Sequence, residues 1–281
     1  MPKIPTLRRA AQSRPVVIAV ALKKGGVGKT TTTINLAYEL SKFTIFDEAE
    51  GVSRPVRVLA IDMDPQGNTT SGLGVALPEV GDPTPTLYNV LHPEKSRRIS
   101  LNEVIVGTQF GVDLAPARKQ LDELDMALGP GGQMRLAREL EKLPAYDVVI
   151  IDCRPTLNEL TAAALSAATT VLAPVLAGRD EVEALASLEE AVENAGLNNP
   201  GIKIRHVLVT NYLATKATKA IRRRIEDEWE KEFLGVISRT VKVTEAKAYS
   251  QPLGVYDASC TAAQDYHDVA LKLAEEELGY V

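Results

Sequence analysis

The chain has 281 residues, 45% hydrophobic content, two cysteines and a formal net charge of −5. This is enough apolar material for one large core, too few cysteines for a disulfide scaffold, and no apolar run approaches the ~20 residues that span a bilayer. Any nucleic-acid binding by so acidic a chain has to come from a local basic patch.

In chain order, residues 1–14 are basic and lack an apolar stretch, so they do not read as a secretory signal. A flexible segment is expected there, followed by a single domain over 15–281. Short, mostly β-branched runs follow at 15–22, 56–61, 111–115, 147–151, 169–175, 206–210 and 233–237. Continuous runs of this kind suit strands buried on both faces. Helical patterns separate them at 30–42, 131–143, 156–168, 179–195, 215–232 and 261–278. The alternation predicts an α/β fold: a mostly parallel twisted sheet of about seven or eight strands with helices on both faces. Two stretches read as long surface loops, 41–55 and the Pro- and Gly-rich 77–86.

Three segments carry chemistry. In the first, "VVIAVALKKGGVGKTTTT", a strand runs through a Gly-rich turn into a helix. Glycines let the backbone approach a phosphate, and the helix start adds its positive dipole end. Lys29 then reaches the β- and γ-phosphates, and the Thr30 hydroxyl can ligate Mg²⁺. Lys23 stands where the usual pattern has its first glycine. In the second, "VLAIDMDPQGN", alternation along a strand would put Asp62 and Asp64 on one face, and Pro65 stops the strand. In the third, "YDVVIIDCRP", Asp152 closes an apolar run. All three acids also fit helix caps or solvated strand ends, Asp62 most of all.

The stretch 24–31, Lys24-Gly25-Gly26-Val27-Gly28-Lys29-Thr30-Thr31, resembles the deviant Walker A motif of the ParA/MinD ATPases. The resemblance implies a P-loop NTPase fold, ATP and Mg²⁺ as cofactors, and nucleotide contacts along these eight residues. It also implies a homodimer that sandwiches ATP, in which Lys24 reaches the partner's phosphates. Charge supports this, because ATP with one Mg²⁺ keeps about two negative charges, and burying them unpaired is costly. By the same resemblance Asp64 belongs to the metal site and positions the attacking water, and Asp152 is the Walker B acid that holds Mg²⁺ through water. Asn211 in "VLVTNY" would read the adenine edge. Arg239, Thr240 and Val241 after "VIS" would pack on the base. The pattern from 235 to 273, with "VKVTEA", "QPLGVYD" and "AAQDY", resembles chromosomal and plasmid ParA proteins. Arg154 departs from the family, which usually has proline there. It either contacts phosphate, ties down a switch loop or is a surface substitution. Lys23 receives no family role.

The relatives separate on other residues. A MinD-like protein needs a basic amphipathic C-terminal helix, whereas this chain ends in "LKLAEEELGYV". Nitrogenase-type iron proteins bridge a cluster with two cysteines per subunit, but Cys153 and Cys260 read as small core residues. No Cys-x-x-Cys of the cluster carriers is present, and a dethiobiotin synthetase would not need Lys24. A ParA-like ATPase that positions another cargo, a carboxysome or a chemoreceptor array, stays open as the alternative. DNA is the family's track. On a helix over 215–231, Lys216, Lys219 and Arg223 lie within about 60° of one another, with Arg222 and Arg224 at the margins. Ile221, Ile225 and Trp229 form the opposite stripe. The expected protein is a cytoplasmic, nucleoid-associated partitioning ATPase. It would dimerise with ATP, bind DNA without sequence preference and answer to a ParB-like partner, without membrane binding. Lacking the helix-turn-helix extension of larger plasmid relatives, it is not expected to read an operator.

Overall fold

The computed structural model describes residues 6–9, 14–47, 51–79, 81–129, 131–143, 146–178 and 181–279. The strands are β1 (Thr6–Arg9), β2 (Val16–Val20), β3 (Thr44–Asp47), β4 (Val52–Pro55), β5 (Val58–Asp62), β6 (Val106–Gly107), β7 (Asp113–Ala115), β8 (Val148–Asp152), β9 (Thr170–Leu176), β10 (Ile204–Tyr212) and β11 (Phe233–Ser238). The helices are α1 (Lys29–Ser41), α2 (Asn68–Gly72), α3 (Leu87–Leu91), α4 (Leu121–Leu124), α5 (Arg135–Leu140), α6 (Glu159–Ala167), α7 (Glu181–Ala195), α8 (Lys216–Glu228), α9 (Lys242–Ala248), α10 (Leu253–Tyr256) and α11 (Thr261–Leu278).

Eight strands form one sheet in the order β11-β10-β9-β2-β8-β5-β7-β6. All its pairings are parallel except β6 with β7. The expected α/β architecture is therefore present. The central strands alternate between two cores, as strands covered on both sides must. Val17, Ala19, Leu59, Ile61, Val149 and Ile151 face the layer holding α6 and α7. Ile18, Val20, Val58, Ala60, Val148 and Ile150 face the layer holding α1 and α11. The chain leaves β2 through α1 toward β5, and leaves β8 through α6 to β9 on the other side of β2. The crevice at that reversal, beyond the carboxyl ends of β2 and β8, is where such sheets bind ligands.

Two loop expectations fare differently. Within 77–86 the described residues form neither helix nor strand. The stretch 41–55 is no simple loop, because β3 and β4 pair antiparallel and β1 adds in parallel beside β3. Phe43 and Ile45, both 1% exposed, anchor this small sheet in the core. Arg54 grips Asp147 with two nitrogens, at 2.6 and 2.9 Å. Of the segment expected to be flexible, Thr6–Arg9 is thus a strand, while residues 1–5 and 10–13 lie outside the described residues. Among the described residues no helix is long and apolar enough to cross a membrane.

Candidate nucleotide site

The Gly-rich turn joins β2 to α1 at the switch of the sheet. Gly26 and Gly28 have φ of 75° and 88°, left-handed values that a side chain would strain. A Cβ built at Gly25 or Gly26 would meet nothing within 4 Å, so the turn has open space above its backbone. Gly28 is the N-cap of α1, and the N–H groups of that first turn face the same space. Thr210 secures the turn from below, its hydroxyl donating to the Val27 carbonyl at 2.7 Å.

Lys29 is 7% exposed, and its ammonium donates to the carbonyls of Lys24 at 2.7 Å and Leu22 at 3.3 Å. Burial lowers its pKa, while Asp152 most of all, and Asp64, act to raise it. Lys29 thus feels the charge of Asp64 and of the acid that ends β8. Lys24 and Val27 flank the turn, Val27 buried and Lys24 partly exposed. Lys24 makes an ion pair with Glu181 in its own subunit, at 2.7 Å.

Register places Asp62 and Asp152 side by side on adjacent strands. Asp152 Oδ2 accepts from Thr30 at 2.8 Å and from Thr69 at 2.6 Å. Asp152 Oδ1 is buried with no hydrogen-bond partner. A buried carboxylate oxygen left without a donor, beside the Thr30 hydroxyl and under an open glycine cradle, fits a hydrated Mg²⁺ carried by a nucleotide. Asp62 is consumed by the fold, accepting from the Thr70 N–H at 2.8 Å, the Thr70 hydroxyl at 2.7 Å and the Asp64 N–H at 3.2 Å. The shared-face expectation for Asp62 and Asp64 fails because β5 ends at Asp62, so strand alternation does not reach Asp64. Asp62 is fully buried, whereas Asp64 is partly exposed and caps a tight turn by accepting from the Gln66 N–H.

Burial raises the pKa of both Asp62 and Asp152; the Asp152 charge adds to it at Asp62, and that of Asp64 at Asp152. The folded state therefore holds protons that the unfolded chain has released above about pH 4, so this pair costs stability as pH rises from there toward neutrality. Nucleotide-free Asp62→Asn protein should lose less stability than the parent between about pH 5 and 8, read from urea midpoints at each pH. Equal slopes would show that the pair ionises like surface carboxylates.

The remaining expected residues separate into two groups. Asn211, next to last in β10, has φ of 50° and is exposed, and the Arg239 N–H donates to the Tyr212 carbonyl at 2.8 Å. That bond brings the candidate base-contacting residues Asn211 and Arg239 near one another, while Val241, two residues on from Arg239, is 70% exposed. Arg154 makes ion pairs with Asp125 at 2.6 Å and Asp122 at 3.1 Å, tying the segment after β8 to the end of α4. Cys153 lies in the core and Cys260 is half-buried. Thr69, Thr210 and Glu181 were not singled out from the sequence. Their roles depend on contacts across 83, 183 and 157 residues, which no local pattern announces.

Residues 16–204 match a family described as an AAA domain. The chain is 36% identical over 272 residues to the chromosome partitioning protein ParA of Caulobacter vibrioides, covering 92% of each. It is 35% identical to the chromosome-partitioning ATPase Soj of Thermus thermophilus, covering 94% of this chain and 96% of that one. The chain belongs to the ParA/Soj family of partitioning ATPases. Among solved structures, cobyrinic acid a,c-diamide synthase of Mycobacterium smegmatis with bound ADP and magnesium superposes with a TM-score of 0.74 at 28% identity, covering 94% of this chain and 96% of that one. Membership agrees with the expectation of an ATPase that uses ATP with Mg²⁺. The strand–turn–helix at Gly25–Thr30, the open cradle and the partnerless oxygen of Asp152 suit such chemistry.

Proposed function

We propose that ATP joins two copies of this chain face to face, that Lys24 of each reaches the other's phosphates, and that the closed dimer binds DNA without sequence preference. A ParB-like partner then stimulates hydrolysis and releases the DNA, in the cytoplasm and on the nucleoid. Within one subunit, Lys29 holds the phosphates, Thr30 and Asp152 would hold Mg²⁺, which neutralises phosphate charge, and Asp64 orients the attacking water. Asn211, Arg239 and Val241 would flank the base.

The observation that supports the DNA reading is the asymmetry of α8. Ile225 is buried, and Ile221 and Trp229 pack against the same core. Lys216, Lys219 and Arg223 are exposed, and no ion pair engages them among the described residues. Arg222 and Arg224, by contrast, pair with Glu226 and Glu228 at 3.2 and 3.9 Å. The cations crowd the N-terminal half of α8, against the preference of the helix dipole. Three uncompensated cations on one face suit phosphate contact, and a two-fold axis doubles them.

DNA binding should therefore require ATP, ignore sequence and weaken steeply with salt. With about six phosphate contacts per dimer the log–log salt slope should be near −5. Replacing Lys219 and Arg223 with glutamate should remove binding while ATP-dependent dimerisation survives, as measured by anisotropy on random duplex with and without ATP. If the double variant binds as the parent does, the surface lies elsewhere, with Lys242 and Lys247 next in line. If neither protein binds DNA in any nucleotide state, the cargo-positioning alternative gains.

A further inference from the structure

Glu181 takes no part in the nucleotide chemistry above, yet its side chain is only 1% exposed. It begins α7, and its Oε1 lies 2.7 Å from the ammonium of Lys24, whose side chain is 29% exposed. Its Oε2 is buried and has no hydrogen-bond partner. The backbone before it is shaped to let the carboxylate in, because a Cβ on Gly178 would stand 3.3 Å from Oε1. An acid in the first turn of a helix is favoured by the dipole, but that preference is met equally well in water. Burial is different. A buried carboxylate is tolerable only with a cation beside it, and here Lys24 is that cation.

Lys24 carries one charge. If it moves to the phosphates of a partner subunit, Glu181 is left buried and uncompensated. We propose that Glu181 is a positioning residue that holds Lys24 within its own subunit, so that the closed dimer forms only when the phosphates opposite out-compete the carboxylate. This rests on the cross-subunit role of Lys24. The comparison is one of charge. The carboxylate offers Lys24 a single negative charge, ADP with Mg²⁺ offers about one, and ATP with Mg²⁺ about two. Only the triphosphate pulls harder than Glu181 does. The ion pair thus sets the threshold that makes closure depend on the γ-phosphate, without contacting nucleotide itself.

Removing the charge at Glu181 should lower that threshold. The Glu181→Gln protein, titrated with ATP and separately with ADP and followed by light scattering, should dimerise at about tenfold lower ATP than the parent and begin to dimerise with ADP. Lys24→Ala should not dimerise, and adding Glu181→Gln to it should restore nothing, because the two changes act on one contact. A loss of packing alone would not promote assembly, so the direction of the shift separates positioning from structure. Should Glu181→Gln not fold, Glu181→Asp keeps the charge but shortens its reach, and should move the midpoint the same way by less. Unshifted midpoints in a folded Glu181 variant, with Lys24→Ala still unable to dimerise, would overturn the latch and leave the cross-subunit role standing. Normal dimerisation by Lys24→Ala would remove that role, and the latch with it. A gain in dimerisation that persists in the double variant would show that Glu181 does not act through Lys24.

Discussion

Replacing Asp64 with alanine should leave ATP binding and dimerisation in place while slowing turnover by ~100-fold or more. Asp64 is the most accessible of the acids here. Asp62 is saturated by Thr70 and the Asp64 N–H, and Asp152 is held by Thr30 and Thr69. Asp64 spends one oxygen on the Gln66 N–H, at 3.0 Å, and stays partly exposed. Its charge is felt at both Asp152 and Lys29. The variant should accumulate as an ATP-bound dimer, so phosphate release and light scattering on one sample read both halves of the expectation. Unimpaired phosphate release would move the water-positioning role away from Asp64.

A loss of comparable size is expected on binding rather than turnover when Lys29 becomes alanine. Affinity for both ATP and ADP should fall by ~10- to 1000-fold, on the usual cost of ~1.5–4 kcal/mol for losing a charged contact. Lys29 is already buried and already pointed at the turn, held by the carbonyls of Leu22 and Lys24. Nucleotide phosphates would replace those carbonyls with charged partners. Calorimetry with ADP isolates this contact from dimerisation, and unchanged ADP affinity would sink the assignment.

The sheet was legible because its strands are buried on both sides, which leaves continuous runs such as "VVII" that no exposed element can carry. All seven expected runs became strands of the one sheet. The eighth, β6, has two residues, Val106 and Gly107, both exposed, and offers no pattern to read. The β3–β4 hairpin was missed for another reason. "TIFD" and "VSRP" mix apolar and charged positions, and besides the buried Ile45 what holds them is Arg54 on Asp147, a contact across 93 residues. Within the site, the turn glycines, Lys29 and the acid of β8 announce themselves because phosphate chemistry demands those residue types in sequence. Thr69 and Thr210 do not, since a hydroxyl on a strand or helix carries no signature until its partner is known. Glu181 is harder still, because an acid that opens a helix is expected on dipole grounds wherever helices occur.

The position of that hairpin has a practical side. It sits between the end of α1 and the start of β5, at the amino ends of the parallel strands, while all the chemistry occupies their carboxyl ends. One five-residue strand, roughly 17 Å of rigid backbone, separates the two. Arg54 and Asp147 fasten the hairpin to the sheet, so it rides with the domain instead of swinging on a tether. Val52 on β4, 48% exposed, is therefore a natural attachment point for a fluorescent reporter. A label there would report on the domain while leaving the phosphate loop and α8 unencumbered.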